Sequence, residues 1–438
     1  MSRSSLTRRW LVAALPCLLV VASAEAQLPV FTPDDSSGIY NPGERVGWTA
    51  SQGTGRYRYT IRRDGGAVID SGTIDLTRPG VRIETSLAQP GMVLVEIRPE
   101  KPDSSFGAPH TGGPGKLLLG AAVAPERIEA AEPEPADFDA FWRAKLAELE
   151  AVPMGAEVTP KESGVPGVEY ATVRLNNIQG AHVYAQLARP SGDGPFPALV
   201  ILQWASPPYP LQKSWVTDRA QQGWLVLNVE PHDVPVDMPQ SFYDNLPTVV
   251  KRYEVLGDHS RDESHFLRMY LGDYRAVEFL TTLPQWDGET LVVMGTSMGG
   301  QQSFATAALH PRVTGMIAHV PAGADVTAAL HGRAASYPQW NVEDPAVLET
   351  ARYFDIVNFA GRIQVPALVS MGFIDELTRP TGIWAAFNRL RGPKEVVPLV
   401  DAPHNHMATE AQQQKYLDRA EAWLERMKRG EAPIAPGS

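Results

Sequence analysis

Gly295-Thr296-Ser297-Met298-Gly299 has the pattern G-x-S-x-G, preceded by the apolar run Leu291-Val292-Val293-Met294 and followed by a helical stretch. In such a strand-to-helix turn the backbone is crowded, and glycines remove the Cβ atoms that would clash. The turn then holds the Ser297 hydroxyl out where a substrate carbonyl can meet it. A serine hydroxyl is a weak nucleophile near neutral pH, so it needs a base, and the base needs an acid to orient it. Chains with this turn carry the partners in the order serine, acid, histidine, each on a loop after a strand. Asp375 follows the apolar run Ala367-Leu368-Val369-Ser370, and His404 follows Glu395-Val396-Val397-Pro398-Leu399. Glu376 and Asp401 are rival acids, and His406 is a rival base. The oxyanion of an acyl-transfer intermediate needs two preorganised donors. The backbone N–H of Met298, at the start of the helix, is one. The N–H of Ala205, in the loop Gln203-Trp204-Ala205-Ser206, is the favoured second. Trp204 is a candidate to wall the site or stack on a sugar ring, or else to serve simply in packing. His404 and His406 have no apparent third metal ligand, so no metal and no cofactor is expected.

The elements that position these residues fall into two regions. From Gln27 to about Gly120 the chain alternates in the manner of strands. Tyr57, Tyr59 and Ile61 share one face and Arg56, Arg58 and Arg62 the other, while Asp64-Gly65-Gly66 supplies a hairpin turn. Short strands with turn signals over about 90 residues predict an all-β, immunoglobulin-like sandwich over 27–123. Residues 124–136, rich in Pro, Glu and Ala, read as a linker. Asp137 is a good N-cap for a helix carrying Phe138, Phe141, Trp142 and Leu146. Beyond it, apolar strands at 198–202, 224–227, 291–294, 367–370 and 395–399 alternate with helices. The helices are expected near 264–283, 299–309 and 408–427. Such alternation predicts a mostly parallel sheet covered on both faces, over a catalytic domain of 137–430 with a tail at 431–438.

The whole chain narrows the classes further. Its 438 residues suit two domains, and 43% apolar with 20% charged residues is a globular profile. The net charge of −11 gives no electrostatic footprint for nucleic acid. Arg3, Arg8 and Arg9, the apolar run Trp10 to Ala22, and Ala24-Glu25-Ala26 form a signal for export with cleavage before Gln27. The apolar run is too short to span a bilayer comfortably, so no membrane span is expected. Three arginines and one glutamate leave with the signal, taking the charge from −11 to −13, and so does the single cysteine, Cys17. The expected location is periplasmic or extracellular, by either the general secretory or the twin-arginine route.

From about Glu126 to Met427 the chain resembles the acetyl xylan esterase and cephalosporin C deacetylase family of α/β-hydrolases. The resemblance rests on Asp137-Phe138-Asp139-Ala140-Phe141-Trp142, the turn Gly295 to Gly300, His319-Val320-Pro321, and Tyr353 to Ala360. It continues through Val365-Pro366-Ala367-Leu368-Val369 with Gly372 and Asp375, Phe387-Asn388, Lys394-Glu395, and His404. It implies an α/β-hydrolase fold and a serine esterase that deacetylates saccharides, with Ser297, Asp375 and His404 as its triad. It also places the second oxyanion donor at Ala205, where the family usually carries a tyrosine. Met298 stands where the family usually has glutamine, and the family's Arg-Gly-Gln motif is replaced by Glu230-Pro231-His232-Asp233. The partner implied is an acetylated oligo- or polysaccharide; the oligomeric state is left open. A serine peptidase or a uronate or feruloyl esterase on the same fold, or a saccharide-binding protein without catalysis, are the alternative readings.

Overall fold

The computed structural model describes residues 28–433, and all side chains within them except those of 248–251. Residues 1–27, which include the expected export signal, and residues 434–438 of the tail lie outside the described residues.

The N-terminal unit consists of β1 (Val30–Pro33), β2 (Ile39–Tyr40), β3 (Val46–Gln52), β4 (Arg56–Arg63), β5 (Val68–Asp75), β6 (Arg82–Thr85), β7 (Gly91–Pro99) and β8 (Leu117–Val123). They form a five-stranded sheet in the order β2-β8-β7-β4-β5 and a three-stranded sheet in the order β1-β3-β6. Alternation decides which way β4 faces: Tyr57 and Ile61 are buried, while Arg56 and Arg58 are exposed. Val46, Trp48 and Ile83 of the smaller sheet share one core with Ile61, Val93, Val95 and Ala121 of the larger. The turn between β4 and β5 puts Asp64 at φ 51° and Gly65 at φ 69°, the left-handed region that glycine enters without steric cost.

Residues 124–136 do not hang free between two bodies. Ile128 is buried, the Asn388 side-chain amide donates to the Pro125 and Ile128 carbonyls, and the Ala131 N–H donates to Asp325. Composition marked this stretch as irregular, but one apolar side chain and a few backbone bonds suffice to dock it. Helix α1 (Phe138–Glu150) follows. Asp137 occupies its N-cap, yet makes no side-chain cap bond; its carboxylate accepts from the Tyr353 hydroxyl and Arg261 instead. Charge-assisted partners from distant elements outcompete the local N–H groups there.

The second unit continues with β9 (Glu157–Lys161), β10 (Val168–Asn176), β11 (His182–Pro190), β12 (Phe196–Leu202), α2 (Ser214–Gln221), β13 (Leu225–Glu230), α3 (Gln240–Asp244) and α4 (His265–Thr281). Then come β14 (Trp286–Thr296), α5 (Met298–Leu309), β15 (Gly315–His319), α6 (Pro345–Arg352), α7 (Ile356–Ala360), β16 (Ala367–Gly372), α8 (Pro380–Arg389), β17 (Lys394–Leu399) and α9 (Glu410–Lys428). One mixed sheet runs β17-β16-β15-β14-β12-β13-β11-β10-β9. Strands β12 to β17 are parallel, and β9, β10 and β11 extend the sheet antiparallel. Those three strands, and β15, are absent from the sequence-based expectation: β9 is exposed along its whole length and β15 is short and buried throughout, whereas β10 does alternate, with Val173 and Leu175 buried between Thr172, Arg174 and Asn176.

Side-chain alternation along the sheet sorts the helices. Val200, Leu202 and Val293 pack with Val277 and Leu280 of α4 and Phe304 of α5 on one face. Leu199, Val226 and Val292 pack with Ala220 of α2 and with Trp423 and Leu424 of α9 on the other. Ser264 caps α4 by accepting from the Phe266 N–H, and Thr409 with Gln412 forms a capping box at the start of α9.

Candidate active site

Ser297 lies between the end of β14 and the first residue of α5, with φ 58° and ψ −119°. A non-glycine residue held there costs about 1–3 kcal/mol, which the surrounding structure must offset. It does so with three backbone bonds. The Ser297 N–H donates to the His319 carbonyl at 2.9 Å, and the Ser297 carbonyl accepts from Gln301 and Ala322 at 3.0 Å each. The glycines of the motif are required by close approach. A Cβ on Gly295 would lie 2.3 Å from the Gly299 carbonyl carbon, and one on Gly299 would lie 2.0 Å from the Leu202 carbonyl oxygen.

The three residues expected to act together do meet. His404 Nε2 lies 3.0 Å from Ser297 Oγ, and His404 Nδ1 lies 2.7 Å from Asp375 Oδ2. The carboxylate fixes the tautomer: Nδ1–H donates to Asp375, leaving Nε2 to accept from the serine hydroxyl. Asp375 is 1% exposed and is held at both oxygens. Oδ1 accepts from the Leu377 and Thr378 N–H groups at 2.8 and 2.9 Å, and Oδ2 accepts from the Thr378 hydroxyl at 2.8 Å. Thr378 is a site residue the sequence reading missed, although an aspartate that accepts from the backbone two residues on, as Asp375 does from Leu377, marks a turn that brings the next side chain back to it.

The rivals go elsewhere. Glu376 pairs with Lys116 of the N-terminal unit. Asp401 is exposed. His406 sits edge-on to the His404 ring at 5.4 Å and is pushed down from its ordinary pKa, chiefly by burial.

The loop after β12 lies against the start of α5. One amide, Gln302 Nε2, donates to both the Gln203 carbonyl at 2.8 Å and the Met298 carbonyl at 3.2 Å. The N–H groups of Met298 and Ala205 have no hydrogen-bond partner among the described residues. Trp204 packs edge-on against Trp215 of α2 at 5.2 Å, and its indole N–H donates to Ser206.

His232 is a second residue the sequence reading passed over. Its Nε2–H donates to the Ala205 carbonyl at 2.8 Å, and its Nδ1 lies 3.2 Å from His265 Nε2. Its ring lies 4.5 Å from that of Tyr253. Glu230 accepts from the His232 and Val234 N–H groups and from the Tyr209 hydroxyl. Burial pushes His232 down to about 4 and His265 down to about 3, so both rings are neutral at ordinary pH, and it pushes Glu230 up to about 7. The available signal was position: His232 lies just past the carboxyl end of a parallel strand, where sites on such sheets are built. A cavity of about 220 Å³ lies beside this cluster, lined by His265, Arg268 and Asp273 among others.

Comparison with known proteins identifies the family and the fold. Residues 126–421 match the family model described as Acetyl xylan esterase (AXE1). A curated relative, Acetyl esterase Axe7A of Xylanibacter ruminicola, is 29% identical over 293 residues, covering 65% of this chain and 66% of its own length. The acetyl xylan esterase from Paenibacillus sp. R4 superposes with a TM-score of 0.58 at 21% identity, over 68% of this chain and 98% of its own. Acetyl xylan esterase 1 from Thermoanaerobacterium sp. JW/SL YS485 gives 0.55 at 20%, over 67% and 96%. These two structural likenesses establish an α/β-hydrolase fold. The family match spans well over half the sequence, so the chain belongs to the acetyl xylan esterase family.

Proposed function

We propose that this protein is an exported serine carboxylesterase that removes acetyl groups from acetylated oligo- or polysaccharides through an acyl-enzyme on Ser297. The observation that carries the reading is the unbroken line from Ser297 Oγ through His404 to Asp375, at 3.0 and 2.7 Å. Family membership supports the acetyl ester as substrate.

In the first step His404 Nε2 takes the Ser297 proton as Oγ attacks the ester carbonyl, and Asp375 stabilises the imidazolium. The carbonyl oxygen becomes an oxyanion that the Met298 and Ala205 N–H groups receive. Collapse breaks the bond to the sugar oxygen, which takes the proton from His404. A water then gives its proton to His404 and attacks the acyl carbon. Acetate leaves, and Ser297 recovers its proton. Trp204 serves as an aromatic wall for the saccharide. The N-terminal unit is an immunoglobulin-like sandwich, and residues 1–26 direct export to the periplasm or beyond.

The test is a panel of p-nitrophenyl esters of increasing acyl length, followed by acetate release from acetylated xylan. Acetyl is expected to be the preferred acyl group. Ser297→Ala is expected to lower kcat by about 10⁶-fold, to background. Full activity in that variant, or cleavage of peptide or feruloyl esters in preference to acetyl esters, overturns the reading.

A further inference from the structure

Asp375 lies in a loop, residues 373–379, and this loop is held on one side by its own domain and on the other by the N-terminal β unit. Ile374, directly before Asp375, is 2% exposed and packs between Leu94 of β7 and Leu118 of β8. Phe373, the residue before that, lies so close to β8 that a Cβ on Gly120 would sit 2.7 Å from its Cβ and 2.8 Å from its carbonyl carbon. Glu376, directly after Asp375, pairs with Lys116, which is 17% exposed and immediately precedes β8. Further along, the Thr381 hydroxyl donates to Asp64 Oδ1 at 3.1 Å, and Asp64 also accepts from the Met92 N–H at 2.8 Å. The Asp64 carbonyl takes the Ala334 N–H at 3.0 Å. That joins the tip of the β4–β5 hairpin to the segment leading to Tyr337, whose N–H donates to the Leu377 carbonyl.

The N-terminal unit also touches the catalytic unit elsewhere: the Gln412 side-chain amide donates to the His110 carbonyl at 3.0 Å, and Gly38 lies against the Val400 side chain. At Asp375 it takes hold of both sequence neighbours, while the Asp375 carboxylate bonds to His404. An appended binding module needs no such grip. Nor does the likeness to the Paenibacillus enzyme require the unit, since 98% of that chain is matched by only 68% of this one. The sheet edge β5 and the smaller sheet β1-β3-β6 make none of the contacts named here.

We propose that the N-terminal β unit is a positioning element for catalysis: through Gly120, Leu118, Leu94 and Lys116 it fixes the 373–379 loop so that Asp375 meets the His404 ring. The inference rests on the reading of Asp375 as the triad acid. Orientation of this kind matters only as charge develops on the imidazole, so its loss lowers kcat and leaves substrate binding alone.

The full-length chain is the material for the test, with p-nitrophenyl acetate as substrate and the melting temperature followed throughout. Gly120→Ala drives a methyl group into the Phe373 backbone, two residues from Asp375, and is expected to lower kcat by roughly 10–100-fold with KM within about twofold of the parent. Lys116→Ala frees Glu376 and is expected to cost about 3–10-fold in kcat, with Lys116→Arg restoring most of it. Ser71→Ala, on β5, is the control and leaves both constants unchanged. Unaltered kcat in both Gly120→Ala and Lys116→Ala overturns the inference. So does a loss in Lys116→Ala that Lys116→Arg fails to restore. Where Gly120→Ala does not fold, the Lys116 pair decides alone. Asp375→Asn, measured alongside, separates the two levels: near-parental activity there refutes the acid assignment and the inference with it. A crippled Asp375→Asn beside unaffected Gly120→Ala and Lys116→Ala refutes the inference only.

Discussion

At the scale of single residues, the site depends on bonds that hold the groups rather than on the groups alone. Gln302 ties the loop after β12 to the start of α5, and His232 holds the Ala205 carbonyl from behind. The Ala205 carbonyl and N–H belong to adjoining rigid peptide planes that meet at the Ala205 Cα, so holding the carbonyl restricts the ψ rotation through which the N–H could shift. His232→Phe keeps the ring against Tyr253 but removes the donor. It is expected to lower kcat by about 10–100-fold, less than the 10²–10³-fold typical of losing an oxyanion donor outright. His232→Gln retains an N–H at similar reach and should recover much of the loss. Steady-state kinetics on the two variants check this, and equal activity in both would remove His232 from the account.

At the scale of elements, α4 carries a group whose ionisation the fold opposes. Asp273 is 1% exposed, and its Oδ2 has no hydrogen-bond partner among the described residues. Burial alone raises its carboxyl well above the ordinary carboxylate range. The folded chain therefore holds this proton more tightly than the unfolded chain does. Its contribution to stability is full below the unfolded pKa of about 3.9 and is lost as pH rises toward the folded value. Asp273→Asn has no such slope. The melting temperature of the variant relative to the parent should therefore climb as pH rises from about 4. Thermal denaturation at several pH values measures this, and a difference that does not change with pH would show that Asp273 is not the group responsible.

At the scale of the whole molecule, two units share one boundary, and Asp375, the proposed acid of the triad, lies beside it. Met92 and Ala122 of the N-terminal sheet contribute to the same buried cluster as Phe373, Ile383 and Trp384. Burial of this kind is non-directional; directed contacts include the Lys116–Glu376 and Thr381–Asp64 pairs, the Ala334 N–H on the Asp64 carbonyl and the Gln412 amide on the His110 carbonyl. The export reading also belongs to this scale, because it concerns the chain that reaches the site of action. Expression of the full sequence in an exporting bacterial host should yield a product whose intact mass begins at Gln27. A product retaining Met1 would contradict it.

Much of the site was legible in the sequence because its determinants are local. The glycine spacing around Ser297 dictates a tight turn, and an apolar run followed by Asp375 or His404 places each residue at the end of a strand. Ser264 and Thr409 mark helix starts through bonds to backbone only a few residues away. What the sequence left open depends on contacts between distant segments. Asp375 and Glu376 are adjacent carboxylates, and local pattern does not separate them. The folded chain turns one toward His404 and the other toward Lys116, 260 residues away. The same holds for His232, and for the N-terminal sheet against the 373–379 loop. Local backbone preferences act over a turn or two of chain. The partner of a buried charge is set by which surfaces the completed core brings face to face, and that decision belongs to the tertiary structure.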